Sequence, residues 1–204
     1  MEIISIEEAK KGQGEKAVAV LKKGGLIIYP TDTCYGLGAD ATNPLAIDKL
    51  MAFKGEREGK PVAVAVSNLV MAEEYVFLSP AARALAKKYL PGPLTLVCQS
   101  EHKTDPRLES SEGTLGIRVP NTPLVLTIIA ALGKPITTTS ANISGGASPY
   151  SRFSWEKETP QERQALVDLF LDAGNLPFSP PSTVIDVSSK EIKIVRQGAI
   201  KIKE

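Results

Sequence analysis

The sequence predicts a single α/β domain built around a mixed β-sheet, and three patterns carry that prediction. Apolar segments of strand length alternate along the 204 residues with segments whose apolar residues recur at helical spacing. A residue type that commonly caps helices precedes a proline at four places, which is typical of helix starts. Two pairs of neighbouring strand segments have no helix between them, so we expect both parallel and antiparallel pairing.

The elements follow these patterns from the N-terminus onward. Residues 7–23 carry helical apolar spacing up to Gly24-Gly25, and the apolar residues 26–29 then predict a buried strand. Further helices are predicted near residues 44–53, 80–90, 123–132 and 160–166, after Asn43, Ser79, Thr122 and Thr159. Strands are predicted at residues 62–66, 94–99, 114–119, 135–139, 167–172, 183–187 and 192–196. The polar residues 100–113 predict a surface loop, and no shift in composition marks a boundary, so residues 1–204 are predicted to form one domain.

Composition argues against several classes of protein. The 24 Lys and Arg against 23 Asp and Glu give a net charge of +1, which does not demand a nucleic-acid partner. No apolar run approaches the roughly 20 residues that span a bilayer, and the start at Met1 lacks a secretory signal, so we expect a cytoplasmic protein with no membrane contact. Cys34 and Cys98 match no metal-binding spacing, so no protein-only metal site is predicted. The single histidine, His102, lies in the polar loop and is expected to be exposed.

A cluster of small polar side chains marks the most informative part of the chain. Thr139-Ser140-Ala141-Asn142 closes the apolar run at residues 135–138 and leads directly into Ile143-Ser144-Gly145-Gly146. Loops held by a rigid scaffold commonly carry binding chemistry. Hydroxyl and amide side chains beside glycine therefore predict a loop that cradles a phosphate or a sugar.

Two further polar clusters follow predicted strands or helices. Thr31-Asp32-Thr33 comes after the strand at 26–29 and precedes Gly36-x-Gly38, which alone is a weak nucleotide signal. Its hydroxyls either bind a small polar ligand or form a turn. Lys54-Gly55-Glu56-Arg57-Glu58-Gly59-Lys60 holds three cations in seven residues. These either clamp phosphates or form a solvated charged loop, since two glutamates lie among them.

Two more motifs place polar side chains on or beside strands. Arg118 alternates with Ile117 and Val119, so it points to the opposite face and is either a solvent-facing residue or a partner for a ligand carboxylate or phosphate. Ser182 and Arg196 lie at strand ends, where turn formation and surface exposure are the simpler interpretations. Phe153 and Trp155 are expected mainly to pack.

Together these segments resemble the YrdC-like family of threonylcarbamoyl-AMP synthases. The similarity runs in order from about Leu26 to Gly198. Its elements are Pro30-Thr31-x-Thr33-x-Tyr35-Gly36-Leu37, Lys54 with Lys60-Pro61, Pro91-Gly92-Pro93-Leu94-Thr95, Gly116-Ile117-Arg118-Val119-Pro120, Ser140-Ala141-Asn142, Ser148-Pro149, Ser182-Thr183-Val184-Ile185 and Arg196-x-Gly198. The resemblance implies a twisted mixed sheet with flanking helices and a large concave basic cavity. Longer family members carry an extra C-terminal domain, and the short form is expected here.

The resemblance also implies an activity and a site. The family is a nucleotidyltransferase that joins L-threonine, bicarbonate and ATP into threonylcarbamoyl-AMP and pyrophosphate, for the modification of adenosine in tRNA. By position, threonine would be held by Thr31, Arg118, Thr138 and Ser182. ATP would be held by Lys54, Arg57, Lys60, Ser140, Asn142, Ser148 and Arg196. Catalysis by Lys54, Arg118 and Ser140 would consist of positioning and charge neutralisation, with Mg²⁺ bound mainly through the ATP phosphates.

One departure from the family pattern keeps other functions open. The family commonly has an arginine two residues after the lysine, whereas Glu56 stands there and Arg57 follows it. The second hypothesis is a protein of this fold that binds RNA or nucleotides without synthase activity. The third is a nucleotide-dependent carbamoyl-transfer domain that acts on another acceptor. RNA, including tRNA, and downstream tRNA-modification proteins are therefore the macromolecular partners considered.

Overall fold

The computed structural model describes residues 1–12, 14–56 and 59–202. Within these ranges the helices are α1 (Ile6–Lys11), α2 (Glu15–Lys22), α3 (Pro44–Lys54), α4 (Leu69–Tyr75), α5 (Pro80–Tyr89), α6 (Pro123–Leu132), α7 (Arg152–Glu158) and α8 (Gln161–Gln164). The strands are β1 (Glu2–Ser5), β2 (Ile27–Pro30), β3 (Tyr35–Gly38), β4 (Val64–Ala65), β5 (Val76–Phe77), β6 (Leu94–Ser100), β7 (Thr114–Arg118), β8 (Ile136–Thr137), β9 (Thr139–Ser140), β10 (Leu169–Asp172), β11 (Thr183–Asp186) and β12 (Lys193–Arg196). None of the described helices has the length and apolar character needed to cross a membrane.

The strands form two mixed sheets, which confirms the predicted α/β class. The smaller sheet has the order β1-β10-β2-β3-β9, and the larger has the order β12-β11-β6-β7-β4-β8, with β5 pairing to β6. The neighbours β6 and β7 pair antiparallel, and so do β11 and β12, which is compatible with the predicted mixed sheet. Parallel pairs join β11 to β6 and β4 to β7. The larger sheet thereby brings distant parts of the chain onto one face.

The chain passes from one sheet to the other at Thr138. A single strand over residues 135–139 is wrong, because β8 belongs to the larger sheet and β9 to the smaller one. Thr137 forms side-chain hydrogen bonds between the two sheets at this point. Its hydroxyl donates to the carbonyl of Leu37 at 2.9 Å and accepts from the amide of Ala39 at 3.0 Å. These bonds tie the edge of the larger sheet to β3. Thr138 therefore lies at the junction between the two sheets.

The proline pairs predict three helix starts correctly. Asn43 accepts from the amides of Leu45 and Ala46 before α3, and Ser79 accepts from the amide of Ala82 before α5. α6 also begins at its predicted proline, although Thr122 makes no side-chain capping bond. The fourth pair is followed only by the four-residue α8, one residue after its proline.

Several sequence predictions need correction. The predicted helix at residues 7–23 is two helices, because the chain leaves α1 at Gly12 and reaches α2 through Gly14, whose φ of 77° is left-handed. The elements β1, β3, β5, α4 and α7 were not predicted. Residues 100–113 are not simply a surface loop, since Leu108 and Asp105 are buried there. The short strand β3 is difficult to predict because two of its four residues are glycine, which is uncommon in strands.

Apolar packing holds the two sheets and their helices together. One core cluster joins residues of both sheets to α3, with Ile28, Leu37, Phe53, Leu96 and Ile117 fully buried. A second cluster lies under α2 and α6 and also contacts the smaller sheet. Burying such side chains contributes roughly 1.5–3 kcal/mol each, so these clusters fix the frame on which the polar clusters sit.

Candidate active site

A cavity of about 450 Å³ opens on one face of the larger sheet. Strands β6, β7, β11 and β12 supply one wall, and the turn after β2, the segment before β4 and the chain around β9 supply the others. The cavity-lining residues are Thr33, Cys34, Lys60, Pro61, Val62, Ala63, Thr95, Val97, Thr114, Gly116, Arg118, Thr138, Thr139, Ser140, Ser148, Tyr150, Ser179, Pro181, Ser182, Val184 and Arg196. Among these described residues the cations are Lys60, Arg118 and Arg196, and no carboxylate lines the wall.

The sheet register brings the two arginines onto the same face. Val184 on β11 is paired with Arg196 on β12 and with Thr95 on β6. Leu96 on β6 pairs with Ile117 on β7. In this antiparallel register the next pair is Thr95 with Arg118, and its side chains lie on the opposite face of the sheet. The result is a row of side chains that crosses four strands, with one guanidinium at each end.

Arg118 is buried and already has an anionic partner. The residue is 5% exposed, and its Nη2 lies 2.5 Å from Oδ1 of Asp32. Its Nη1 donates to Thr33 at 3.2 Å, and its Nε donates to the carbonyl of Gly92 at 3.3 Å. Within the described part of the chain, Oδ2 of Asp32 is buried without a hydrogen-bond partner. The Arg118 end of the cavity therefore has little net charge and one unsatisfied acceptor beside it.

Arg196 lies at the other end without an anionic partner. Its Nε and Nη2 donate to the carbonyl of Ser182 at 3.0 and 2.9 Å, and Nη2 donates to the hydroxyl of Ser182 at 3.0 Å. Among the described residues no carboxylate lies within ion-pair distance of this guanidinium. Although part of the residue is exposed, desolvation of the guanidinium lowers its pKa, and repulsion from Arg118 lowers it further. An anion bound here would relieve that repulsion.

Glycine 198 permits this placement of Arg196. A Cβ on Gly198 would lie 2.1 Å from the carbonyl oxygen of Pro181, so only glycine allows the chain to pass so close. The amide of Gly198 also donates to the hydroxyl of Thr183 at 3.0 Å. The Arg196-x-Gly198 motif is therefore explained by close packing of the segment after β12 against the segment before β11.

The Thr31–Thr33 cluster forms the turn between β2 and β3. The hydroxyl of Thr31 accepts from the amides of Thr33 and Cys34, and it donates to the carbonyl of Cys34 at 2.7 Å. The turn alternative for this cluster is therefore confirmed, and ligand binding by its hydroxyls stays a prediction. Thr31 stabilises the turn and does not line the cavity, whereas Thr33 and Cys34 do line it.

The Gly36-x-Gly38 pair serves packing. A Cβ on Gly36 or Gly38 would lie 3.1 or 2.9 Å from the ring of Tyr29. That ring is fully buried, and its hydroxyl donates to the carbonyl of Thr137 at 2.9 Å. The two glycines therefore make room for a tyrosine that joins the sheets near Thr138.

Lys54 holds the loop that follows β9. The residue is only 3% exposed, and its Nζ donates to the carbonyls of Ser140 and Asn142 at 3.0 and 2.6 Å. The hydroxyl of Ser140 donates to the side-chain oxygen of Asn142. The backbone of Tyr35 clamps both ends of the loop, by donating to Pro149 at 3.0 Å and accepting from Ala141 at 2.9 Å. The loop is thereby fixed along one side of the cavity.

The structure brings together most of the site residues predicted from the sequence. Those that line the cavity are Lys60, Arg118, Thr138, Ser140, Ser148, Ser182 and Arg196. Thr31, Lys54 and Asn142 lie behind the lining and contact it through the turn or the loop. Arg57 lies outside the described residues, so its predicted contact with ATP stays a prediction. His102 is exposed as expected and pairs with Glu109 at 2.7 Å.

Several lining residues were not predicted as site residues. Thr33 and Thr95 stand within motifs that carry the family resemblance, but the sequence does not show which side chains of these motifs face the cavity. Alternation along β6 places Thr95 and Val97 on the cavity face and buries Leu94 and Leu96 behind it. Tyr150 contributes its ring to the lining and donates to the carbonyl of Ser179 at 2.9 Å. Trp155 packs as expected, whereas Phe153 is exposed.

Relatives of known sequence match nearly the whole chain. The Sua5/YciO/YrdC family model, described as telomere recombination, matches residues 19–198. A candidate threonylcarbamoyl-AMP synthase of Methanocaldococcus jannaschii is 34% identical over 210 residues, which cover 99% of this chain and 95% of the relative. The threonylcarbamoyl-AMP synthase of Bacillus subtilis is 31% identical over 188 residues, which cover 91% of this chain and 53% of the relative.

Solved structures share the fold. Pyrococcus abyssi Sua5, crystallised with L-threonine, has a TM-score of 0.85 at 27% identity and covers 97% of this chain, which spans 58% of Sua5. Escherichia coli YciO has a TM-score of 0.84 at 26% identity, over 99% of this chain and 98% of YciO. The chain belongs to the Sua5/YciO/YrdC family.

Proposed function

We propose that this protein is an enzyme, a threonylcarbamoyl-AMP synthase. It would form threonylcarbamoyl-AMP and pyrophosphate from L-threonine, bicarbonate and ATP, which is a nucleotidyl transfer. The observation that carries this proposal is the contrast between the two arginines of one cavity: Arg118 is neutralised by Asp32, and Arg196 is not. Relatives named as threonylcarbamoyl-AMP synthases support the same reaction.

The Arg118 end suits a zwitterion. A free amino acid carries one carboxylate and one ammonium group, so its recognition needs a cation and an acceptor close together. Arg118 retains N–H groups beyond its bonds to Asp32, Thr33 and Gly92, because a guanidinium has five. We assign the threonine carboxylate to these groups, with Thr138 and Ser182 beside them in the lining. Thr31 acts indirectly, by holding the turn that carries Thr33.

The Arg196 end suits a polyanion. Arg196 brings a positive charge without a carboxylate, and Lys60 lies on the wall before β4. The hydroxyls of Ser140 and Ser148 line the side formed by the β9 loop. We assign the ATP phosphates to this group. Lys54 and Asn142 support them by fixing the loop, and Arg57 is expected to add charge from the same segment as Lys60.

The reaction then proceeds without a covalent bond to the protein. The amino group of threonine bonds to the carbon of bicarbonate, and water leaves to give a carbamate. A carbamate oxygen then attacks the α-phosphorus of ATP while the bond to the bridging oxygen breaks and pyrophosphate leaves. The protein positions both partners and neutralises charge, with Arg118 and Ser140 in contact with the reactants and Lys54 positioning the loop that carries Ser140. Mg²⁺ fits this donor set through the ATP phosphates and its own waters, because no carboxylate among the described residues lines the wall.

The product defines the partners. Threonylcarbamoyl-AMP is a reactive mixed anhydride, so an enzyme that transfers its acyl group to adenosine in tRNA must consume it. We include such tRNA-modification proteins, and tRNA itself, in the proposal.

Threonine-dependent release of pyrophosphate tests the proposed function. The purified protein is incubated with ATP, bicarbonate and Mg²⁺, with threonine or with no amino acid, and pyrophosphate is measured over time. We expect release only with threonine, and incorporation of labelled bicarbonate into an AMP adduct. ATP binding without threonine-dependent release would overturn the proposal and favour the nucleotide- or RNA-binding hypothesis. RNA binding that weakens steeply with salt would then be its signature.

A further inference from the structure

Two hydroxyls lie between the arginine ends of the cavity. Thr95 on β6 and Ser182 before β11 are each 6% exposed, and their oxygens lie 2.9 Å apart. Both side chains line the cavity wall. The hydroxyl of Ser182 accepts a hydrogen bond from Arg196, and Thr95 lies next to Arg118 on the neighbouring strand. The hydroxyl pair therefore bridges the assigned threonine end and the assigned ATP end.

One of the two hydroxyl protons of this pair has no acceptor among the described residues. Each hydroxyl has one O–H donor and two acceptor lone pairs. Nη2 of Arg196 donates to the Ser182 hydroxyl, and a single proton bridges the two hydroxyl oxygens. Among the described residues no further partner of either hydroxyl is present. Whichever hydroxyl donates within the pair, the other keeps a proton that can point into the cavity.

The positive charges of Arg118 and Arg196 near this proton favour an acceptor that is negatively charged. Arg196 and Arg118 lie close enough that the charge of Arg118 lowers the pKa of Arg196. A ligand atom between them is therefore stabilised when it carries negative charge. Small neighbours leave space there, since Gly116 and Ala63 form the adjacent floor.

We propose that the remaining hydroxyl proton of the Thr95–Ser182 pair donates to the oxygens that become negatively charged where the threonine carbamate joins the α-phosphate. This role rests on the proposed function. In that step a carbamate oxygen forms a bond to the α-phosphorus, the bond to the bridging oxygen breaks, and its electron pair leaves with pyrophosphate. The hydroxyl keeps its proton and contributes a hydrogen bond. Donors aimed at charge that develops in a transition state are typically worth more than those that only bind the ground state.

A double-mutant cycle tests this role. The variants are Thr95→Val, which keeps the shape and removes the hydroxyl, Ser182→Ala, and the two combined. Thr95→Ser is the matched control that keeps the hydroxyl. Ser182→Ala leaves both bonds from Arg196 to the backbone carbonyl of residue 182 in place, so Arg196 stays anchored. Pyrophosphate release is measured for kcat and for the KM of ATP and of threonine, and thermal melting checks the fold.

The expected pattern is strongly non-additive. Each single variant still has one hydroxyl proton, so we expect kcat to fall only about two- to tenfold, the cost of one perturbed neutral hydrogen bond. The double variant has none, and kcat should fall about 10²–10³-fold, as when one oxyanion donor is removed, and by more than the product of the two measured single losses, with smaller changes in KM. Thr95→Ser, which keeps the hydroxyl, should lose less kcat than Thr95→Val.

Other outcomes separate the two proposals. A double variant whose loss equals the product of the single losses, or appears only in KM, would overturn the hydroxyl role and leave the synthase proposal standing. A Thr95→Ser variant as slow as Thr95→Val would also overturn it. A wild-type protein without threonine-dependent pyrophosphate release would refute the proposed function itself, and the hydroxyl role with it.

Discussion

The two ends of the cavity use the same side chain in opposite ways. At one end Arg118 is buried, and its guanidinium contacts Asp32, Thr33 and the carbonyl of Gly92. At the other end Arg196 is partly exposed and contacts only neutral oxygens of Ser182 among the described residues. One guanidinium has a carboxylate partner, and the other has none among the described residues.

The presence or absence of a carboxylate partner affects both the contribution of each arginine to folding stability and the ligand that it can bind. A buried ion pair is weak evidence for stability, yet removing one partner leaves an uncompensated buried charge. Loss of Arg118 should therefore destabilise the folded state. Arg196 has no carboxylate partner among the described residues and is available to bind an anion. Substitutions of the two arginines should separate stability from ligand affinity.

The largest effect is expected for Arg118→Met. It strands the Asp32 carboxylate, whose Oδ2 already lacks a partner among the described residues, so the free energy of unfolding should fall by about 3–5 kcal/mol. Urea denaturation monitored by circular dichroism measures this loss. In whatever fraction stays folded, the threonine requirement should rise far more than the ATP requirement.

The matched control for Arg118→Met is the double variant with Asp32→Asn. Removing the stranded charge should recover most of the lost stability, while threonine binding stays weak because the guanidinium is still missing. If the double variant is no more stable than Arg118→Met, the buried pair is not the cause of the loss. Equal effects on threonine and ATP would refute the assignment of this end to threonine.

The next effect concerns affinity and not stability. Arg196→Met should leave the free energy of unfolding nearly unchanged, because this arginine is a partly exposed residue with no anionic partner among those described. ATP affinity should fall by about 1.5–3 kcal/mol, or roughly 10–100-fold, the range for hydrogen bonds to a charged group. Calorimetric titration with ATP measures the change. Unchanged ATP binding would place the triphosphate elsewhere.

How much of this contrast could be predicted from the sequence differs between the two arginines. Alternation along β7 correctly turned Arg118 away from Ile117 and Val119. Its pairing with Asp32 could not be predicted, because 86 residues separate them and only the meeting of the two sheets brings them together. Arg196 was assigned to ATP by resemblance alone. Its position beside Ser182 depends on the antiparallel pairing of β11 and β12. The sequence predicts both strands and a mixed sheet, which is compatible with this pairing but does not specify it.

The fold shows the same division between local and long-range signals. Local signals predict the starts of α3 and α5, where Asn43 and Ser79 cap the helix, and of α6, where proline occupies the first turn without a side-chain cap. The split of residues 135–139 into β8 and β9 was not predictable, because it accompanies long-range hydrogen bonds of Thr137 to Leu37 and Ala39. That same split places Thr138 and Ser140 on the cavity wall.

A smaller effect is expected where glycine supports the Arg196 end. Gly198→Ala places a Cβ against the backbone of Pro181 and Ser182, which cannot yield as a flexible side chain would. We expect a loss of about 1–3 kcal/mol in the free energy of unfolding, as for overpacked sites, together with weaker ATP binding as Arg196 shifts. Gly12→Ala, at a glycine whose φ of −89° suits any residue and whose added Cβ would meet no atom closer than 4.0 Å, is the comparison for general glycine effects. Equal losses in the two variants would show that close packing at Gly198 is unimportant.

The smallest effect is expected at a third arginine, which lies outside the cavity and has carboxylate partners. Arg107 contacts Asp105 at 2.8 Å and Asp48 at 2.5 Å, and its hydrogen bond lowers the pKa of the Asp105 carboxyl below 3.8. Although the Asp105 carboxylate is buried, it keeps the hydrogen bond from the backbone amide of residue 107, and a glutamine side chain can still donate to it. Because the Arg107 side chain is also 42% exposed, solvent screens the pair, and Arg107→Gln should cost only about 0.2–1 kcal/mol at neutral pH.

The pH dependence of that small loss identifies its cause. A carboxyl group whose pKa is lowered by folding stabilises the folded state above its unfolded pKa, and this contribution disappears as the pH falls through the folded value. The difference in stability between wild type and Arg107→Gln should therefore be constant from about pH 5 to 8 and shrink below pH 3.8. Urea denaturation at a series of pH values measures it, and ATP and threonine affinities should match wild type throughout. A difference that persists below the folded pKa would mean that Arg107 acts through packing or through its bond to the carbonyl of Pro44, and a change in ligand affinity would show that charges outside the cavity also tune its two ends.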